Sequence, residues 1–434
     1  MTVGAYLREE GHDVHLLDWS GEPLDEDRRD ELRSLRPEVV GIHVKISSAL
    51  SRALEVSEWV RDAGAVLVWG GPGPAILTEP MLREGPADYL VLGEGEETAA
   101  ELLACLEKGG DVRDVDGLAF MDGDDEIITA PRTRIVKIDS LPMPMWDGVD
   151  LSRYHTPMHG RQVVPIVTSR GCPGNCTFCY SKKMWGYRWT ARSPQKVVEE
   201  MEHIMRLDAG VGGFIIMDDL FSTDPRRVRD ICSLIEERGM DIVWNCEIRA
   251  DMIDPVMVRI MRRAGCRQVL MGIETGSPRL LELVRKDITV DEIRRAARVL
   301  HENDVEVYAM MVNGLPTERD EDVDATDRLL REIRPDFTEF LTYMPYPGTP
   351  LYDLAVQEGF PEPDNLEEWA NMGTFNIGSI DSKGVSGVAD ERYEEMARNV
   401  KKRAIRSSYI REMKNAPLTA PIRGLRFLFN RGRE

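Results

Sequence analysis

Over the first 120 positions, apolar residues gather in short runs at 13–17, 39–42, 65–69 and 89–92, with helical periodicity between them at 25–36, 48–62 and 74–83. Buried runs alternating with amphipathic helices are most simply satisfied by parallel strands joined by crossover helices. The pattern predicts a Rossmann-like, doubly wound sheet over residues 1–125, with its ligand at the carboxyl ends of the strands. Gly70-Gly71-Pro72-Gly73 and Gly93-Glu94-Gly95-Glu96 stand at two of those ends. Glycine there lets the backbone approach a flat or phosphorylated ligand, and serves an ordinary turn equally well.

From 126 to 160 the pattern loosens into a linker. Asp122-Gly123-Asp124-Asp125 reads as a turn, and Leu141-Pro142-Met143-Pro144-Met145 is closed to helix by its prolines. Six further strand-then-helix units follow, with strands at 163–168, 213–217, 241–246, 268–273, 306–311 and 337–342 and helices that include 194–207 and 291–302. Six units over 161–345 predict a partial (β/α)6 barrel, short of the eight that close one, with its chemistry at the carboxyl ends of the strands. Residues 346–434 read as a helical C-terminal region with a basic tail, in which 423–429 interleave basic and apolar side chains. That tail is either a solvated helix or a contact with a membrane surface or another anionic partner.

The 434 residues allow two or three domains at about 150 residues each. With 55 basic against 76 acidic residues the formal charge is -21, which argues against a general nucleic-acid binder, since a polyanion would be repelled. No apolar run approaches the roughly 20 residues needed to cross a bilayer, and no export signal opens the chain, so a cytoplasmic address is expected. Seven cysteines, an odd number, speak for reduced thiols rather than a disulfide framework.

Three of the seven stand together in Arg170-Gly171-Cys172-Pro173-Gly174-Asn175-Cys176-Thr177-Phe178-Cys179-Tyr180, directly after the first of the six strands. Thiolates at i, i+4 and i+7 in a loop can hold three irons of a cubane and leave the fourth without a protein ligand. Zinc would need a fourth ligand, and no neighbouring CxxC or HxxxH pair supplies one. Cys105, Cys232, Cys246 and Cys266 lie singly in apolar segments and read as buried structural thiols.

The C-x3-C-x-aromatic-C loop resembles that of the radical S-adenosylmethionine (SAM) enzymes. The glycine turns and the order of the two domains resemble the superfamily's cobalamin-binding branch over nearly the whole chain. The resemblance implies a [4Fe-4S] cluster on Cys172, Cys176 and Cys179, with SAM and cobalamin as further cofactors. Phe178 would lie beside the adenine, Asp218 and Asp219 would receive the SAM ammonium, and Glu274, in Gly272-Ile273-Glu274-Thr275-Gly276-Ser277, would contact the ribose or methionine end. Arg249 would fork onto the SAM carboxylate, and Gly70, Gly71, Gly93, Glu94 and Gly95 would lie along cobalamin. The residues also have structural readings: Asp218 and Asp219 as helix caps, Arg249 as a partner of Asp251, and Tyr343 and Tyr346 as packing aromatics.

The implied activity is methyl transfer from methylcobalamin to an unactivated carbon after hydrogen abstraction by a 5′-deoxyadenosyl radical, with an electron donor such as flavodoxin or ferredoxin. The alternatives are radical cyclisation or carbon-carbon bond formation on a tetrapyrrole or lipid and, behind these, methylthio transfer. A protein side chain, a lipid, a tetrapyrrole or a small natural-product precursor all suit these motifs as substrate. Relatives usually begin with an extra strand, whereas this chain opens inside the first helix. The Asp-x-His-x-x-Gly loop that gives cobalt a histidine in many cobalamin proteins is absent, and His43 is the one histidine near a strand end of the first domain. Cobalt is accordingly expected without a protein imidazole, with His43 as a polar strand-end residue.

Overall fold

In the computed structural model, which describes residues 1–154, 157–372 and 386–415, the apolar runs at 39–42, 65–69 and 89–92 become β1 (Val39–His43), β2 (Val66–Gly70) and β3 (Tyr89–Val91). β2 pairs in parallel with both β1 and β3, as expected of strands separated by helices such as Ser48–Ala63. The run at 13–17 forms no strand. A strand needs a neighbour for its N–H and C=O groups, and the order β1-β2-β3-β4-β5 leaves it none among the described residues, although Leu17 still packs against the core.

The last two strands of that sheet, β4 (Leu118–Asp122) and β5 (Asp125–Ile128), form an antiparallel hairpin around Gly123, whose φ is 62°, so the sheet extends into the stretch read as linker. The helix expected at 74–83 is two, Pro72–Ile76 and Thr78–Glu84. Pro80 lacks the N–H that would bond to the Ile76 carbonyl, and the first helix stops there.

The core of this domain is Leu50, Leu67, Trp69, Met81 and Leu90, completed by Leu366, Trp369 and Ala370 from the helix Leu366–Met372. The Trp69 indole N–H donates to Ser57 Oγ at 3.1 Å, so its burial leaves no polar atom unpaired.

All six strands of the second series are present: β7 (Arg161–Ile166), preceded by β6 (Pro157–Met158), then β10 (Val211–Ile216), β11 (Val243–Glu247), β12 (Cys266–Glu274), β13 (Glu306–Asn313) and β14 (Phe337–Thr342). β7 pairs in parallel with β10, and β13 with both β12 and β14. Between β7 and β10, the two-residue strands β8 (Ser169–Arg170) and β9 (Thr190–Ala191) pair antiparallel.

The chain divides into two compact units. Of the described residues, one holds those up to 244 and 344–372; the other holds 245–343 and the described C-terminal helix Asp390–Asn415. The region expected as one C-terminal piece is therefore shared between them. Among the described residues no helix is long and apolar enough to cross a membrane, and the basic segment 423–433 lies outside those residues.

Candidate active site

The cysteine loop leaves β8 and returns through β9, whose pairing ties its two ends together. Cys172, Cys176 and Cys179 are all partly exposed and Cys232, Cys246 and Cys266 are buried, but Cys105, expected to be buried, is partly exposed as well, so it is their place together in one loop that marks the ligand set. The Gly174 N–H donates to Cys172 Sγ at 3.3 Å and the Ser181 N–H to Cys179 Sγ at 3.4 Å. Burial, before any other cause, pushes the Cys179 thiol up to about 12. Iron takes the sulfur as thiolate, so cluster binding at Cys179 would release its proton. Donor type, access and backbone N–H groups aimed at sulfur fit the cubane. Phe178, partly buried, lies inside the loop.

The two aspartates after β10 do different things. Asp218 is buried, and its carboxylate accepts four hydrogen bonds: Oδ1 from the N–H groups of Thr168 (2.6 Å) and Ser169 (2.9 Å), Oδ2 from their hydroxyls, both at 2.6 Å. Those bonds use the carboxylate's accepting capacity, so Asp218 braces the entry to the cysteine loop and caps no helix. Asp219, more open to solvent as a residue than Asp218, accepts from the Gly171 N–H at 2.9 Å. Burial of its carboxyl, only partly offset by that bond, raises it above the ordinary carboxylate value.

At the sheet edge of the first domain, Gly71 has φ +94°, and a Cβ there would stand 2.7 Å from the His43 ring. Desolvation first, then Lys45, holds that imidazole below its ordinary value. Gly93 has φ +87° and open space where a side chain would be, so its backbone is open to approach by a ligand, as at other glycine turns of the chain. Gly70 and Gly95 stand beside these two turns, at the end of β2 and the start of the helix Gly95–Lys108.

Glu94, expected along the cofactor, instead accepts from Arg170 Nη1 (2.7 Å) and the Ile135 N–H (2.7 Å), and Glu96 accepts from Arg170 Nη2 (2.6 Å). Both carboxylates are buried. Sequence reasoning gave Arg170 and Glu96 no role; two acids alternating with glycine after a strand were the signal available.

In the other unit Arg249 pairs with Asp251 (Nε to Oδ1 3.0 Å) and also donates to the Asp287 carbonyl at 3.3 Å. Glu274, at φ 62° and buried, pairs with Lys286 Nζ at 2.6 Å, a partner no local spacing revealed. Gly272 makes room for the pair, because a Cβ there would lie 2.7 Å from Lys286 Nζ and 2.8 Å from Glu274 Oε1. Tyr343 is buried, and in the first unit Tyr346 packs edge-on against Tyr180 at 5.2 Å, so it is a packing aromatic.

The turn Gly314-Leu315-Pro316 is held by Glu318, which accepts from the Gly314 N–H (2.9 Å), the Leu315 N–H (3.1 Å) and Tyr393 Oη (2.7 Å). Burial pushes its carboxyl up to about 7. A carboxyl raised on folding binds more protons in the native state, so its contribution is full below about pH 4.5 and is lost as pH rises through about 7. The expected size is about 3 kcal/mol. Urea midpoints at pH 5 and pH 8 should therefore differ more in the wild type than in Glu318→Gln; an unchanged difference would remove Glu318 as the source.

Residues 166–330 match the family model of the radical SAM superfamily, and residues 1–103 that of the B12 binding domain. An uncharacterized methyltransferase of Pyrococcus horikoshii is 32% identical over 358 residues, which cover 82% of this chain and 77% of that protein. The anaerobic magnesium-protoporphyrin IX monomethyl ester cyclase of Cereibacter sphaeroides is 30% identical over 364 residues, 80% of this chain and 58% of the cyclase. Among solved structures, the radical S-adenosylmethionine methyltransferase TsrM of Kitasatospora setae, with cobalamin and a [4Fe-4S] cluster bound, matches with a TM-score of 0.68 at 20% identity over 83% of this chain and 74% of that one. At that identity the likeness is one of fold.

Proposed function

Because this chain belongs to the cobalamin-binding radical SAM enzymes, we propose that it is a C-methyltransferase acting on an unactivated carbon of its substrate. The supporting observation is the joining of the two cofactor-binding elements: Arg170, two residues before Cys172, is ion-paired to Glu94 and Glu96 in the glycine turn of the B12-type domain. When bound, the cluster and SAM supply a 5′-deoxyadenosyl radical at the cost of one electron, and cobalamin supplies a methyl group that a second SAM restores.

The chain's part is to hold and orient. Cys172, Cys176 and Cys179 would hold the cluster, and Phe178 would stack beside the adenine. The ammonium would go to Asp219, since Asp218 has its hydrogen-bonding capacity filled by Thr168 and Ser169. Gly70, Gly71 and Gly93 would let cobalamin approach the sheet edge. The electron would come from a flavodoxin or ferredoxin. A cytoplasmic site of action belongs to the same reading and agrees with seven unbridged thiols.

The second reading is a radical cyclase, favoured by the likeness to the magnesium-protoporphyrin enzyme. Product analysis separates the two. Methyl transfer yields S-adenosylhomocysteine together with 5′-deoxyadenosine; a cyclase that takes no methyl group yields 5′-deoxyadenosine alone, and that outcome would overturn the methyltransferase reading.

A further inference from the structure

We infer that Arg170 is a positioning residue through which cobalamin at the glycine turn after β3 and iron in the cysteine loop strengthen each other's binding. The guanidinium forks across two carboxylates of one turn, Glu94 at 2.7 Å and Glu96 at 2.6 Å, and its backbone is the last step of β8 before the loop. The far end of the loop is tied to the same turn. Arg134, whose Nε stands 3.8 Å from Glu94, donates to the carbonyl of Trp185 at 2.9 Å and to Thr190 Oγ1 at 3.1 Å. The Trp185 ring faces both guanidinium groups, at 5.4 Å from Arg134 and 5.8 Å from Arg170. Tyr180, next to Cys179, packs on the core of the first domain.

The charges balance, with two arginines against Glu94 and Glu96. All are largely shielded: side-chain exposure is 13% for Arg170, 16% for Arg134 and 4% for Glu94 and for Glu96. Ion pairs so withdrawn from water are little screened and hold a fixed geometry. Iron that orders the loop thus orders Arg170, and Arg170 fixes Glu94 and Glu96 on either side of Gly95, next to the glycine turn at Gly93. A turn ordered in advance binds its ligand more tightly, and by thermodynamic reciprocity bound cobalamin must favour iron by the same factor. Arg170 needs to touch neither cofactor for this.

The test is equilibrium binding of hydroxocobalamin, followed by absorbance, to full-length protein with its cysteine loop reconstituted with iron and sulfide and to the same protein without iron. In the wild type the iron-loaded form should bind about fivefold more tightly or better. Arg170→Lys keeps the charge but cannot fork across two carboxylates, and Glu96→Gln removes one arm while Glu94 stays; both should bring the ratio close to one. Glu101→Gln, which removes the partner of Arg132 on the same helix, should keep the wild-type ratio. A ratio of one in the wild type, or a wild-type ratio in natively folded Arg170→Lys and Glu96→Gln, would overturn the inference, since a mere brace changes stability without changing the ratio.

Discussion

Alanine at any one of Cys172, Cys176 and Cys179 is expected to leave the protein with almost no iron, where the wild type reconstitutes to about four per chain, and to abolish 5′-deoxyadenosine formation. Each thiolate holds a different iron of the cube, so two cannot substitute for three. The partly exposed set contrasts with Cys232, Cys246 and Cys266, which are fully buried in the core. Alanine at those three positions should cost some stability and leave iron and SAM cleavage in place. Iron and sulfide assays, with the visible absorption of the reconstituted protein, decide the matter. A Cys176→Ala protein that keeps its iron would end the assignment.

Asp218→Ala should be the most destabilising change near the site, at about 3 to 5 kcal/mol, because it strands two buried N–H groups and two hydroxyls that now share one carboxylate. Thermal unfolding would report the loss, and iron retention should fall with it, since Ser169 opens into the cysteine loop. Asp219→Asn should do the opposite. Its carboxylate accepts a single backbone bond, so folding and iron should hold while SAM affinity weakens by about 1.5 to 3 kcal/mol, roughly ten- to a hundredfold. Glu274→Gln, measured by the same SAM titration, tests the ribose or methionine contact read for that residue. Native SAM affinity in Asp219→Asn would return that residue to a structural role.

The contrast between these two neighbours shows what the sequence makes legible. Asp218 and Asp219 look alike in a string; which one is spent on the backbone depends on Thr168 and Ser169, some fifty residues earlier. The cysteine loop was readable because its spacing is local, and the six strands because buried parallel strands are continuous apolar runs. The run at 13–17 misled because a strand exists only through its neighbour, while β4 and β5 hid behind the charges of their turn. Long-range ion pairs leave no pattern at all: Glu94 finds Arg170 76 residues on.

The seating of Leu366, Trp369 and Ala370 in the core of the first domain bears on how the polypeptide is made. The Leu366 N–H bonds to Glu84, 282 residues earlier. At about 5 to 20 residues per second a ribosome needs on the order of 14 to 56 s to travel between those two positions. Throughout that interval the core lacks the side chains of Leu366, Trp369 and Ala370 that complete it. Chaperone dependence during synthesis, and poor behaviour of the first hundred residues when expressed by themselves, follow from that late-arriving piece of core.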